Sequence, residues 1–221
     1  NYTSLNEYIS RMKDEQSDIY YISGESIDQI LTSPQIEGYK SRGLEVIYMV
    51  DPIDEFWLPS MSEYEGKSFK SITKGIADLS KFDIKDEKDN KKKKPATKKD
   101  IDNLISEMKS HLGDKVKDIK SSQMLTDSPV CLTADEADMD IHLEKLMRQH
   151  KRLDKESKKI LEINPSHSLI KSLGKIVSNT KDKDIVNDVS HLLLDQARIV
   201  EGELPLDTKG FTDKLLSLIH I

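Results

Sequence analysis

Residues 18–57 read DIYYISGESIDQILTSPQIEGYKSRGLEVIYMVDPIDEFW, and the alternation of strand and helix signals within them sets the fold class. Asp18 to Ser23 is aromatic and β-branched and stops at Gly24, the pattern of a buried strand. Ser26 is placed to cap a short helix carrying Ile27, Ile30 and Leu31. Ser33-Pro34 opens another, with proline at the first helical position where its missing N–H costs nothing. Gly43 stops that helix, residues 44–50 form a second strand, and Asp51-Pro52 starts a short helix with Ile53, Phe56 and Trp57. This β-α-β order with a helix after the second strand predicts a small parallel α/β unit. Just upstream, Leu5, Tyr8, Ile9 and Met12 recur at helical spacing. A nucleotide could sit at the ends of such strands, but no glycine-rich phosphate loop follows either one.

Downstream lies the one obvious seam, KFDIKDEKDNKKKKPATKKD at 81–100. Its nine Lys against five acids leave it at +4 within a chain of net charge -6. So few apolar groups cannot repay the entropy of ordering the segment, and it reads as a solvated linker. The seam separates a segment 1–95, linker included, from a segment 96–221. The second segment has an α+β pattern. Ile101, Leu104, Ile105, Met108 and Leu112 share one face of a helix. Residues 116–122 and 129–133 read as strands joined by a turn, and 139–149 as a helix. Residues 159–163 read as a short strand, and Asn164-Pro165 begins a helix with Leu169, Ile170, Leu173 and Ile176. Two helices finish the chain, at 184–201 and from an Asp207 cap to about Ile219.

The chain's 221 residues, 33% charged and 5% aromatic, suffice for a sizeable core. No apolar run approaches the ~18 residues needed to cross a bilayer. Asn1 opens the sequence with no Met, basic stretch or apolar stretch behind it, so no signal peptide is read and a piece of a longer protein is expected. A single cysteine, Cys131, excludes an internal disulfide framework and fits a reducing compartment, so a cytoplasmic location is expected. The acidic balance and scarce aromatics argue against nucleic-acid binding. Catalytic patterns are missing. The six histidines (His111, His142, His150, His167, His191 and His220) form no i, i+4 ligand pair, and no nucleophile elbow or P-loop is present.

What remains points to binding. Ile185, Val186, Val189, Leu192, Leu193, Leu194, Ala197, Ile199 and Val200 cover more than one stripe of the penultimate helix. Phe211, Leu215, Leu216, Leu218 and Ile219 do the same on the last. The chain's own core could take one face of this hairpin and a second copy the other, giving a four-helix bundle across a two-fold axis. On the 139–149 helix, Met139, Leu143, Leu146 and Met147 form an apolar strip rimmed by Glu144, Lys145, Arg148 and Lys151. Methionine adapts to many partner shapes. Phe56-Trp57 reads either as core aromatics or as an exposed anchor.

Read together, SLNEYISRMKDEQSDIYYISGES (4–26), GLEVIYMVDPIDEF (43–56), EGKSF (65–69), LTDSPVCL (125–132), LEINPSHSLI (161–170) and LLLDQARIVEGELPLD (192–207) resemble the ninety-kilodalton heat-shock protein (Hsp90) family of molecular chaperones. The likeness is greatest to its bacterial branch. The resemblance covers nearly the whole chain. It implies the end of a middle domain followed by a C-terminal dimerisation domain. The parent would be a stress-induced, ATP-driven homodimer that assists protein folding, its ATP and Mg site lying upstream of Asn1. No catalytic residue, cofactor or metal is then expected in this segment. The terminal helices would form the dimer bundle, with Ile185, Val189, Leu192, Leu193, Gln196, Ile199, Val200, Phe211, Leu215, Leu216, Leu218 and Ile219 at the interface. Glu55, Phe56, Trp57, Met139, Leu143, Leu146 and Met147 would contact unfolded client proteins. No MEEVD motif follows Ile219, so no tail-binding cochaperone is expected, and neither is nucleic acid or a membrane. Two other readings compete: a catalytic or nucleotide-binding α/β fragment, and a purely structural dimerisation module.

Overall fold

In the computed structural model of the chain, the aromatic stretch becomes strand β1 (Asp18–Ser23). It sits between β2 (Ile47–Met49) and a hairpin of β3 (Glu63–Tyr64) and β4 (Lys67–Ser71), giving a sheet ordered β2-β1-β4-β3. The expected parallel pairing is present between β1 and β2, and β1 also pairs in parallel with β4. The β3–β4 hairpin is antiparallel. Its turn is Glu65-Gly66, at φ 48° and 73°, the left-handed pair that suits a tight hairpin. Periodicity missed β4 because KSFKS offers one apolar residue and no alternation. The second strand is also shorter than the 44–50 expected.

The structure describes residues 2–58, 60–75, 79–84, 95–179 and 183–219. Half of the Lys-rich seam, at 85–94, and His220 lie outside them. Packing divides the chain into two units, one of Asn1–Glu87 with Ala134–Ser157 and one of Lys88–Thr133 with Lys158–Ile221.

In the first unit, α1 (Leu5–Arg11) begins with a complete capping box between Ser4 and Glu7. Tyr8 from this helix is fully buried. Its hydroxyl donates to the Glu45 carbonyl at 2.9 Å and accepts from Gln16 Nε2 at 2.9 Å and Tyr20 N at 3.0 Å. One side chain thus joins the helix, β1 and the approach to β2 while leaving no polar atom unsatisfied. Ser26 caps α2 (Ile27–Thr32), and a 3₁₀ turn at Pro34–Ile36 leads into α3 (Glu37–Ser41). In α2 only Ile30 is buried, while Ile27 and Leu31 face solvent, because six residues give too short a helix to wrap the core. Tyr39 of α3 stacks edge-on against Tyr20 at 4.9 Å. The opposite sheet face carries Phe69, against which Trp57 of α4 (Asp54–Trp57) packs at 6.0 Å.

The second unit is built on α5 (Lys98–Leu112), whose Ile101, Leu104, Met108 and Leu112 are buried. Strands β5 (Asp118–Ser121), β6 (Val130–Thr133) and β7 (Ile160–Ile163) form a sheet ordered β5-β7-β6. The strands read as neighbours across a turn are therefore separated by β7, parallel to one and antiparallel to the other. All four residues of ILEI in β7 and of VCLT in β6 are buried, whereas DIKS in β5 tolerates an edge. Helix α7 (Ser168–Asn179) begins three residues later than the Asn164-Pro165 signal placed it, and it packs on α5. Gly174 permits the approach, since a Cβ there would meet Asp100 Cβ at 3.3 Å. Ser178 Oγ donates to Asp100 Oδ1 at 2.6 Å nearby.

Glu162, in the central strand, is 3% exposed. Burial raises its carboxyl above the usual range, offset in part by hydrogen bonds from Ser122 and Thr133. A raised carboxyl favours the folded state while protonated, and that advantage is lost as pH climbs from 4.5 through the folded value. Glu162→Gln carries no charge to bury and keeps an acceptor for Thr133. Thermal denaturation should show it melting above the wild type at pH 7, with the gap closing as pH falls toward 4.5.

Candidate functional site

Strands β1, β2 and β4 of the first unit run parallel, so their carboxyl ends share one edge of the sheet, where ligands of open α/β sheets generally bind. Helix α6 (Ile141–Gln149) is fixed at that edge. Its N-cap Asp140 is buried, accepting from Ser71 Oγ at 2.5 Å and Thr73 Oγ1 at 2.6 Å beyond β4, and from His142 N at 2.9 Å. His142 Nδ1 lies 2.9 Å from Glu55 Oε1 of α4, and Lys145 Nζ lies 2.7 Å from Glu25 Oε1 between β1 and α2. Buried Glu144 accepts from Ser157 N at 2.8 Å and also from the Ser157 hydroxyl. Tyr21 lies on the sheet face beneath. Its phenol is pushed up by burial and by the nearby Asp140 and Glu55 carboxylates.

The two groups expected to contact clients, 87 residues apart between Glu55 and His142, are thus brought together. They are not equally open. Phe56 is 49% exposed and Met139, which precedes the helix, 41%. Trp57 is half-buried, its Nε1 donating to Asp54 Oδ1 at 2.9 Å. Leu143, Leu146 and Met147 are half-buried. Glu55 is 5% exposed beneath His142, an interior carboxylate and no open contact. Sequence periodicity cannot see that pairing, because the two residues belong to distant segments.

In the second unit, α8 (Lys183–Val200) and α9 (Thr208–Ile219) form the expected hairpin. Helix α8 packs on α5, β6 and α7 and buries Val186, Val189, Ser190, Leu193, Leu194 and Ala197. Val189 and Leu193 of the expected interface set therefore serve the chain's own core. Ile185 and Leu192 are half-buried, while Gln196, Ile199 and Val200 face out. Gly202, at φ 76°, ends α8. Its N–H bonds Ile199 O at 2.9 Å and that of Glu203 bonds Arg198 O at 2.9 Å, the paired closure of a left-handed cap. Asp195 Oδ1 then receives Leu206 N at 3.1 Å, and Asp207 caps α9 through Gly210 N at 2.9 Å. Helix α9 has no buried residue. Phe211 and Leu218 are half-buried, and Leu215, Leu216 and Ile219 are 42%, 48% and 69% exposed.

No group of three or more His, Cys, Asp or Glu side chains able to hold a metal occurs among the described residues, and Cys131 is buried in β6. The segments after β1 and β2, with the helices they lead into, carry Glu25, Asp28, Asp51, Asp54 and Glu55 without a Lys or Arg among 24–33 or 50–57, and Lys145 of α6 is paired with Glu25, so the surroundings are acidic on balance and disfavour phosphate. No described helix is long and apolar enough to cross a membrane.

The family model described as "Hsp90 protein" matches residues 1–221. Among curated relatives, a "Chaperone protein HtpG" from Roseobacter denitrificans is 44% identical over 219 residues, covering 98% of this chain and 35% of the relative. Those from Paramagnetospirillum magneticum and Wolbachia pipientis wMel are each 43% identical, over 218 and 216 residues, covering 99% and 98% of this chain. The chain spans about a third of the length of these relatives, 35% and 34% in the latter two.

Asp140→Ala would strand two hydroxyls and uncap α6, at a cost of about 2–3 kcal/mol. Urea denaturation should show the lowered midpoint, and amide exchange should accelerate in α6 before α5.

Proposed function

The chain belongs to the Hsp90 protein family, and from that membership we propose that it holds two protomers of a bacterial chaperone together and presents part of the surface for unfolded clients. The observation behind this reading is α9, a twelve-residue helix with no buried residue although it carries Phe211, Leu215, Leu216, Leu218 and Ile219. Burying such side chains is worth about 1.5–3 kcal/mol each, which a second copy of the hairpin supplies across a two-fold axis. In this reading the contact falls on the outward part of the expected set: Ile199 and Val200 of α8 with Leu215, Leu216 and Ile219 of α9, flanked by Ile185, Leu192, Gln196, Phe211 and Leu218. The domain boundary at 95/96 belongs to the same reading, as does a cytoplasmic location.

The bundle keeps two arms at high effective concentration, so that ATP-driven closure elsewhere in the whole protein acts on one client between them. ATP and Mg bind outside this segment, which itself turns nothing over. Clients meet Phe56, Trp57, Met139, Leu143, Leu146 and Met147, an adaptable apolar surface with a charged rim suited to many partners. The acidic strand-end loops speak against the nucleotide-binding alternative.

Sedimentation equilibrium tests the dimer. The intact 25.2 kDa chain should run at twice its mass, and a chain ending at Glu203 should run as a monomer. Because α9 buries nothing, its removal leaves the unit's core in place. A monomeric intact chain at high concentration would sink the bundle.

Aggregation suppression tests the client surface. Leu143→Ser with Met147→Ser should weaken the chain's protection of a heat-denatured protein several-fold, and unchanged protection would remove α6 from the site. Dimerisation without any protection would leave a structural module.

A further inference from the structure

The loops that follow β1 and β2 repeat one pattern. Each follows a parallel strand, and each puts an isoleucine and then an aspartate at the next helix: Ile27-Asp28 and Ile53-Asp54. Ile27 is 53% and Ile53 63% exposed, joined by Val50 at 40% and Phe56 at 49%. One exposed isoleucine needs no explanation, but four large apolar side chains on two loops do.

The loops lie side by side. Gly24 N donates to Met49 O at 3.1 Å, closing the ends of the two strands. His142 and Lys145, three residues apart on α6, reach Glu55 in one loop and Glu25 in the other, so a single helical turn spans both. Of the five carboxylates there, Glu55 and Glu25 face His142 and Lys145, while Asp28 and Asp51 remain exposed.

We propose that this strand-end face binds an extended polypeptide segment in which apolar and basic residues alternate. The inference rests on the client-binding reading and deepens it by naming the chemistry of the bound segment. Apolar side chains at every second position, about 7 Å apart in an extended chain, seat against Ile27, Val50, Ile53 and Phe56. The long Lys or Arg side chains between them curl back, stems along the apolar surface, to reach Asp28 and Asp51. An acidic segment meets the same carboxylates as repulsion, so the face selects by charge as well as by apolar content.

Fluorescence anisotropy with the 221-residue chain and labelled twelve-residue peptides tests this, one alternating Leu with Lys and its counterpart alternating Leu with Glu. The Leu–Lys peptide should bind about tenfold more tightly at low salt, the preference shrinking as salt is added. Asp28→Asn with Asp51→Asn should erase most of the preference. Ile27→Ser with Ile53→Ser should weaken binding of the Leu–Lys peptide about tenfold without lowering the melting temperature, since both side chains are exposed. Equal affinity for the two peptides, or full affinity in the isoleucine variant, overturns the proposal. The aggregation assay separates this outcome from the parent reading. Protection that persists while the peptides bind alike rejects the charge-selective face alone. Peptide preference that persists in a chain without protection supports the face and rejects the chaperone role.

Discussion

The carboxylate of Asp140 is the constraint on which the arrangement of the first unit's strand-end edge depends. A buried charge is tolerated only when its acceptor sites are filled, and here the hydroxyl of Ser71 at the end of β4, that of Thr73 just past it and one backbone N–H fill them. Satisfying that carboxylate fixes where α6 begins. From this anchor the i, i+3 pair His142 and Lys145 falls over Glu55 and Glu25. The Phe56-Trp57 segment and the α6 strip therefore share one edge although the sequence keeps them far apart.

The second unit shows the opposite situation, a helix whose apolar groups go unused. Helix α8 divides its residues cleanly, with Val186, Val189, Leu193 and Ala197 turned inward and Ile199 and Val200 outward. Helix α9 is then held against it by a connection whose polar groups are paired, through the left-handed cap at Gly202, the Asp195 acceptor and the Asp207 cap. Burial lowers the pKa of His191 on α8, helped by Lys115 and by Lys214 of α9, so the imidazole adds no charge between the helices at neutral pH. A hairpin oriented this firmly with exposed Leu215 and Ile219 has little freedom to fold over and hide them. The apolar surface is presented in a fixed geometry, which lowers the entropy lost on association.

Much of this was legible in the sequence, and the failures share one physical origin. Strand β1, the caps at Ser26 and Asp207 and the amphipathic α5 rest on local signals, namely β-branched and aromatic content, capping chemistry and 3.6-residue periodicity. The β3–β4 hairpin was lost because Lys67, Ser68, Lys70 and Ser71 give no apolar alternation. The position of β7 between β5 and β6 depends on which strands pair, a comparison between segments that no single window contains. At the candidate site, periodicity found the apolar strip of α6 and the surplus apolar faces of the terminal hairpin. It could not tell that Val189 and Leu193 serve the core, nor that Glu55 is covered by His142. Those outcomes are set by tertiary neighbours and not by residue type.

An adaptable binding surface must be positioned and yet deformable, and the bonds around α6 divide along those lines. Its N-terminal end is held by buried groups, Asp140 with Ser71 and Thr73 and then His142 with Glu55 at 5% exposure. A turn later buried Glu144 is held by Ser157, while on the side of the strand-end segments Lys145 pairs with Glu25, whose side chain is 54% exposed, and a partly exposed pair contributes only about 0–1 kcal/mol. The helix is therefore firmly held through Asp140, His142 and Glu144 and weakly held on the side of Lys145, with Leu146 and Met147 half-buried beyond it. Breaking the Lys145 pair frees Glu25 to join Asp28 and Asp51 along the strand-end segments. A segment that displaces Lys145 with its own basic residue thus replaces one weak ion pair by an equivalent one while gaining apolar contacts. Under the client-binding reading, the charge pattern of the loops and the uneven anchoring of α6 favour the same occupant.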